Sequence, residues 1–146
     1  MKYLVLIFAF IISSSAAFGQ GQNDITYSKD WQGNTVAKDS YGNIIAIGTK
    51  NWQGNFVWKD PNGNVIQIEK KNWQGEKVTT DQYGNTESVQ SVNWQGNTVQ
   101  KDQYGNIMYT FEKDWNGDVV VKDKYGNRVG KYVKDWQGNL VYKKGY

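Results

Sequence analysis

The sequence predicts an all-β fold, a repetitive antiparallel β-meander of about twelve short strands. Three observations lead there. Trp31, Trp52, Trp73, Trp94, Trp115 and Trp136 recur every 21 residues without a slip, and Tyr41, Asn62, Tyr83, Tyr104 and Tyr125 keep the same period. A fixed period of this size marks a repeat architecture. Each period holds two copies of a shorter phrase, Asp/Asn-x-x-Gly-Asn, beginning at Asp30, Asp39, Asn51, Asp60, Asn72, Asp81, Asn93, Asp102, Asp114, Asp123 and Asp135. Between the phrases lie alternating short segments rich in Val, Ile, Thr and Tyr, the composition of strands.

The elements follow in order from the turn chemistry. Asp24–Lys29 is an opening strand, and Asp30-Trp31-Gln32-Gly33-Asn34 is the first turn. Its Asp accepts bonds from the turn's own amides, and Gly three residues on adopts the left-handed conformation. That combination is a type I turn with a G1 bulge, a common hairpin connection. Asn34–Lys38 is a short strand, Asp39-Ser40-Tyr41-Gly42-Asn43 the second turn and Asn43–Lys50 a longer strand. The pair then repeats to a closing strand, Asn139–Lys144. Asp60-Pro61-Asn62-Gly63 places the chain's one Pro at i+1, where its fixed φ suits the turn. Asn after Gly is expected to complete the bulge and bond the turn backbone. Glu76 and Asp118 replace it in two units.

Two arrangements suit this pattern. In a meander, equivalent residues sit two strands apart, about 9.5 Å. In a β-solenoid, the alternative, each unit is one rung and equivalents stack at about 4.8 Å. Lys38, Lys59, Lys101, Lys122 and Lys143 form one equivalent series, and Asp39, Asp60, Asp81, Asp102 and Asp123 another. At the closer spacing both become like-charge ladders, which favours the meander. Val36, Val57, Val78, Val99, Val120 and Val141 hold the one apolar position kept in every short strand and are expected to form a thin core. Ile45, Ile66, Glu87, Met108 and Val129 share a more variable position. So little apolar surface requires the aromatic rings to add burial, or the sheet to curl, roll up or associate. An open meander also leaves its first and last strands unpaired, with Lys143 and Lys144 as gatekeepers.

Composition narrows the function. The 146 residues suffice for one domain. Residues 1–19 read as a signal peptide, with Lys2, the apolar run Tyr3 to Ile12, and small residues Ala17 and Gly19 before Gln20. Residues 20–29 then lead into the first strand, and 30–146 form the repeat domain. The expected setting is secreted, extracellular or at the cell surface, with no membrane span in the mature protein. There is no Cys to staple the fold and no His to act as base or metal ligand. The net charge of +3 is spread as alternating Lys and Asp, without a footprint for nucleic acid. Each turn offers one Asp, already used as a cap, whereas calcium needs several converging oxygens. Paired acids for hydrolysis need unlike environments, and the repeat makes them alike. No enzyme activity, catalytic residue, metal or cofactor is expected.

The candidate binding residues are the aromatic ones at the two edges: Trp31, Trp52, Trp73, Trp94, Trp115 and Trp136 on one, Tyr41, Tyr83, Tyr104 and Tyr125 on the other. The favoured expectation is that each ring folds back over its own hairpin and caps the Val layer. The alternative is an exposed platform that stacks on sugar faces, with Gln32, Gln53, Gln74, Gln95 and Gln137 adding hydrogen bonds. Identical units without an asymmetric site point to a structural or adhesive role, self-associating or held at a surface. The second function is a multivalent carbohydrate-binding module whose partner is a surface polysaccharide.

The recurring phrase, with Asp60-Pro61-Asn62-Gly63-Asn64 among its copies, resembles the YD (Rhs-type) repeats of secreted bacterial proteins over roughly Asp30 to Asn139. It departs from them in placing Lys38, Lys59 or Thr80 where those repeats carry Tyr before Asp. The resemblance implies an extended β-strip in a secreted or surface setting, with too few units to enclose a cargo, and brings no catalytic residue. A looser similarity, in the Gln/Gly/Asn-rich repeats and the closing Gly145-Tyr146, is to curli-type repeat subunits.

Overall fold

The computed structural model describes residues 24–145. The expected signal peptide, residues 1–19, lies outside them, as do residues 20–23 of the leading segment. Twelve strands follow in order: β1 (Asp24–Lys29), β2 (Thr35–Lys38), β3 (Ile44–Lys50), β4 (Phe56–Lys59), β5 (Val65–Lys71), β6 (Lys77–Thr80), β7 (Thr86–Val92), β8 (Thr98–Lys101), β9 (Ile107–Lys113), β10 (Val119–Asp123), β11 (Arg128–Lys134) and β12 (Leu140–Lys144). Every strand pairs antiparallel with its sequence neighbours, as a meander requires. The ends then meet. Asp24, Ile25, Thr26 and Tyr27 of β1 pair with Lys143, Tyr142, Val141 and Leu140 of β12, closing the sheet into a barrel. The open strip with two free edges is therefore corrected, as is the solenoid. Strand twist curls the sheet, and closure satisfies the backbone groups that both edges would leave exposed.

The turns form as their chemistry dictates. In all eleven, the Gly N–H donates to the carbonyl of the opening Asp or Asn, and that residue's own N–H donates to the carbonyl of the residue after the Gly; for the first turn both distances are 3.0 Å. Gly33 lies at φ 86° and Gly42 at φ 85°, in the region where a Cβ is disfavoured. At Asp30, Oδ1 accepts from the amides of Gln32 and Asn34, each at 2.9 Å. The Asn side chain differs from expectation. Asn34 Nδ2 donates to Asp30 Oδ2 at 3.1 Å, so it ties down the capping carboxylate instead of the turn backbone.

The Tyr-bearing hairpins carry a second device. The register between β2 and β3 slips after Ala37, which pairs with Ala46 while Lys38 pairs with Ile44, leaving Ile45 as the extra residue of a bulge. Ile66, Glu87, Met108 and Val129 hold the same place in the other four units. Bulges bend and twist a strand, as a sheet this narrow must do to close. Ile45, Ile66 and Val129 are partly buried against the apolar core.

The core differs from the expected Val layer. It is built around Tyr27, Trp58, Phe111, Val121, Tyr132 and Tyr142, with Ala37 and Ala46. Trp58 is fully buried and lies edge-on to Tyr27 and Phe56, with ring centroids at 6.2 and 5.3 Å. Gly48 sits where a Cβ would strike the Phe56 ring. Side chains alternate between faces along a strand. Since Ala37 and Trp58 face the lumen, Val36 and Val57 beside them face outward. Val36, Val57, Val99 and Val120 are nonetheless buried. They form a belt around the outside, flanked across the strands by residues such as Ile47, Ile68 and Thr110.

The lumen is not uniform. On β5 to β8 the buried residues include Gln67, Glu69, Lys77, Thr79, Ser88, Gln90 and Gln100. Lys77 Nζ lies 2.8 Å from Glu69 Oε1, both side chains almost wholly enclosed. Burial pushes the Glu69 carboxyl above its ordinary range, against the pull of Lys77, and pushes the Lys77 ammonium down. Burial also raises the Tyr27 and Tyr132 phenols, and Glu69 acts on both, which places the three around a common interior.

Candidate functional site: two aromatic rims

Closure turns the two edges of the meander into two rims. The turns that join β1 to β2, β3 to β4, β5 to β6, β7 to β8, β9 to β10 and β11 to β12 all lie at one end, and each carries a Trp. The five turns at the other end carry Tyr41, Asn62, Tyr83, Tyr104 and Tyr125, and that end also receives the start of β1 and the end of β12. A sequence period of 21 residues thus becomes a rotation of roughly 60° about the barrel axis.

The rings do not fold back. Trp31 is 91% exposed, Trp52 92%, Trp73 91%, Trp94 92%, Trp115 93% and Trp136 91%. The expectation that they cap a Val layer is overturned. Trp stands at i+1 of its turn, the point furthest from the sheet, and the lumen is lined by other aromatics and by the polar residues of β5 to β8. Tyr41, Tyr83, Tyr104 and Tyr125 are also exposed, at 76 to 80%. Lys124 Nζ lies 5.1 Å from the centroid of the Tyr125 ring, within cation–π range.

Six Trp side chains at about 150–250 Å² each place on the order of 1,000 Å² of aromatic surface at one rim. Between the rings stand exposed amides, Gln32, Gln53, Gln74, Gln95, Asn116 and Gln137. The rings sit on turns whose backbone is fixed by hydrogen bonds, so little backbone freedom remains to be lost on binding.

Electrostatics at the turns are set by the caps. The carboxyls of Asp60, Asp102 and Asp123 are held below their ordinary range, first by the backbone amide of the residue four on. At Asp30, Asp39, Asp81 and Asp114 desolvation is the largest single influence and opposes this, but the hydrogen bonds together prevail. A depressed folded value gives stability that is present above the unfolded carboxyl value, about 3.9, and lost as pH falls through the folded one. The caps' contribution to the denaturant midpoint is therefore expected to be flat from pH 7 to 5 and to fall below pH 4. Asp60→Asn, Asp102→Asn and Asp123→Asn together copy the Asn51, Asn72 and Asn93 turns and should flatten that fall. An unchanged acid limb in the triple variant would show that the caps do not set it.

Among the described residues no group of three or more acidic, Cys or His side chains converges to hold a metal ion. A shallow open groove at the Tyr rim, lined by Asp102, Asn106, Ile107, Met108 and Lys124, brings together no complementary pair of reactive groups. The interior aromatics and the polar lumen were missed from the sequence. The signal was present, since Tyr27, Phe56, Trp58, Phe111, Tyr132 and Tyr142 all fall outside the two periodic series.

Neither a family model nor a curated protein matches the sequence. Among solved structures, the chain is similar to an Arabidopsis thaliana protein determined by X-ray, with a TM-score of 0.63 and 14% identity, covering 84% of this chain and 79% of that one. At that identity the likeness speaks for the fold alone, an antiparallel all-β barrel. An alternansucrase in complex with isomaltononaose aligns with a TM-score of 0.21 and 18% identity, over 81% of this chain and 12% of that one. A score so low carries no argument.

Proposed function

We propose that this chain is an exported, non-catalytic adhesive module that holds a surface polysaccharide through its Trp rim. The observation that carries the proposal is the exposure of all six Trp rings, above 90%, at one end of a closed barrel. Indole faces stack on the apolar faces of sugars, and the interleaved Gln amides can donate to and accept from hydroxyls. Six equivalent weak contacts add through multivalency to an affinity that no single one has. The export expectation rests on the composition of residues 1–19, and the resemblance to YD repeats points to the same setting. The absence of catalysis rests on the likeness of the units, in which every Asp that opens a turn accepts from that turn's own amides.

The same exposure supports a second reading, self-association of copies rim to rim. One set of variants separates the two. Replacing all six rim Trp with Ala is expected to reduce retention on insoluble cellulose and chitin by at least about 100-fold, leaving the far-ultraviolet dichroism unchanged. Unchanged retention would rule the rim out as the binding surface. A monomer–oligomer equilibrium that the substitutions abolish, without any polysaccharide retention, would favour self-association.

A further inference from the structure

We infer that the Trp rim docks end-on against a flat, uncharged polysaccharide surface spanning several parallel chains, instead of gripping one chain along an edge. This rests on the proposed function and specifies the form of ligand that the rim takes. Closure removes the straight row that an open meander would offer. Twelve strands spaced about 4.8 Å apart and tilted about 40° close at a diameter of roughly 24 Å. Neighbouring Trp turns then sit about 12 Å apart around a circle, each displaced by roughly 60° from the last. A single extended chain meets two rings, or three if it bends. All six can engage together only on a surface broader than the barrel.

The six turn segments with the residue before each cap, 29–34, 50–55, 71–76, 92–97, 113–118 and 134–139, carry Lys29, Lys50, Lys71, Lys113 and Lys134. Against them stand Asp30, Glu76, Asp114, Asp118 and Asp135. With Lys131, which reaches Asp114 and Asp118 at 3.1 and 3.2 Å, the rim is within one charge of neutral, which suits a neutral surface and disfavours one that depends on strong charge complementarity, such as an acidic glycan or lipid. The start of β1 and the end of β12 both lie at the Tyr rim, opposite the Trp rim.

The ring shape supplies its own test. Trp52→Ala/Trp73→Ala/Trp94→Ala removes three neighbours and leaves the opposite arc, Trp115, Trp136 and Trp31, complete. Trp31→Ala/Trp73→Ala/Trp115→Ala removes alternate rings and leaves no neighbouring pair. Adsorption to microcrystalline cellulose and crystalline chitin would be measured for both variants and for the parent. Calorimetry with soluble cellohexaose and chitohexaose, and flotation with phosphatidylcholine vesicles, would run in parallel.

For end-on docking, both triple variants lose affinity for the crystalline surfaces by at least about tenfold, and by factors within about threefold of each other, because each forfeits three of six contacts. The soluble hexasaccharides bind the parent at least about 100-fold more weakly than the surfaces do. If the arc variant stays near the parent while the alternate variant fails, a single chain is being gripped and end-on docking is wrong. Tight binding of a soluble hexasaccharide likewise overturns end-on docking while sparing the proposed function. No binding to any saccharide, or binding to the vesicles alone, sinks both.

Discussion

Lys77→Met is expected to lower stability at pH 7 by about 3–5 kcal/mol, the usual cost of leaving one member of a buried ion pair alone. The partner is Glu69, 2.8 Å away and without exposed side-chain surface. That is a large share of the about 5–15 kcal/mol that holds a domain together. The pH dependence carries a definite sign. Without Lys77, only the Trp58 side chain still opposes burial at Glu69, so its carboxyl rises further above the value of 4.5 from which it already departs. A raised folded value gives stability that is full below the unfolded one and lost as pH rises through the folded one. The deficit should therefore shrink between pH 7 and pH 5, a window above the acid limb of the turn caps. Glu69→Leu/Lys77→Met should return close to the parent, since replacing both partners removes the desolvation cost along with the attraction. Urea midpoints at the two pH values provide the measurement. A single variant as stable as the parent at pH 7 would mean that Glu69 is not enclosed as described.

Trp58→Ala is expected to cost about 3–5 kcal/mol, the range for removing a large aromatic from a packed interior. Trp58 has no exposed surface and packs edge-on against Tyr27 and Phe56. Trp52→Ala serves as the contrast. Its ring is 92% exposed, and its loss should shift stability by no more than about 0.5 kcal/mol. Fluorescence distinguishes the two further. Of the chain's seven Trp, six stand in solvent and one is enclosed, so only Trp58→Ala should remove a blue-shifted component of the emission. Equal destabilisation by the two substitutions would contradict the division between rim and lumen.

The turns were legible in the sequence because their chemistry is local. Asp, Gly and Asn at fixed offsets specify a G1-bulged type I turn wherever they stand, and alternating segment lengths then count the strands. Closure was not legible, since it depends on β1 meeting β12, and nothing near Asp24 or Lys143 announces the partner. The Val row misleads for a different reason. The most regular apolar position resembles a core, but a barrel repeats on its outside, where every unit sees the same neighbours. Its inside is one shared volume that must be filled by unequal residues, here Trp58 on one strand and Ala37, Thr79 or Gln100 on others. The exposed state of the rim Trp follows from the same point. Once Tyr27, Trp58, Phe111, Tyr132 and Tyr142 fill the centre, the periodic rings are not needed for burial.

The seam between β1 and β12 has a consequence for how the chain acquires its structure. Each hairpin is local and can form within microseconds, yet the pairing of Asp24 with Lys143 joins the two ends of the described barrel. Such a contact has the largest sequence separation of any strand pair in the barrel and is expected to form last. Until β12 is in place, β1 and the growing front are both unsatisfied edges, open to pairing with another chain. A polypeptide emerging N-terminus first cannot complete its barrel until the last strand has been delivered. The interval between emergence of β1 and arrival of β12 is the stage at which this fold is most exposed to aggregation.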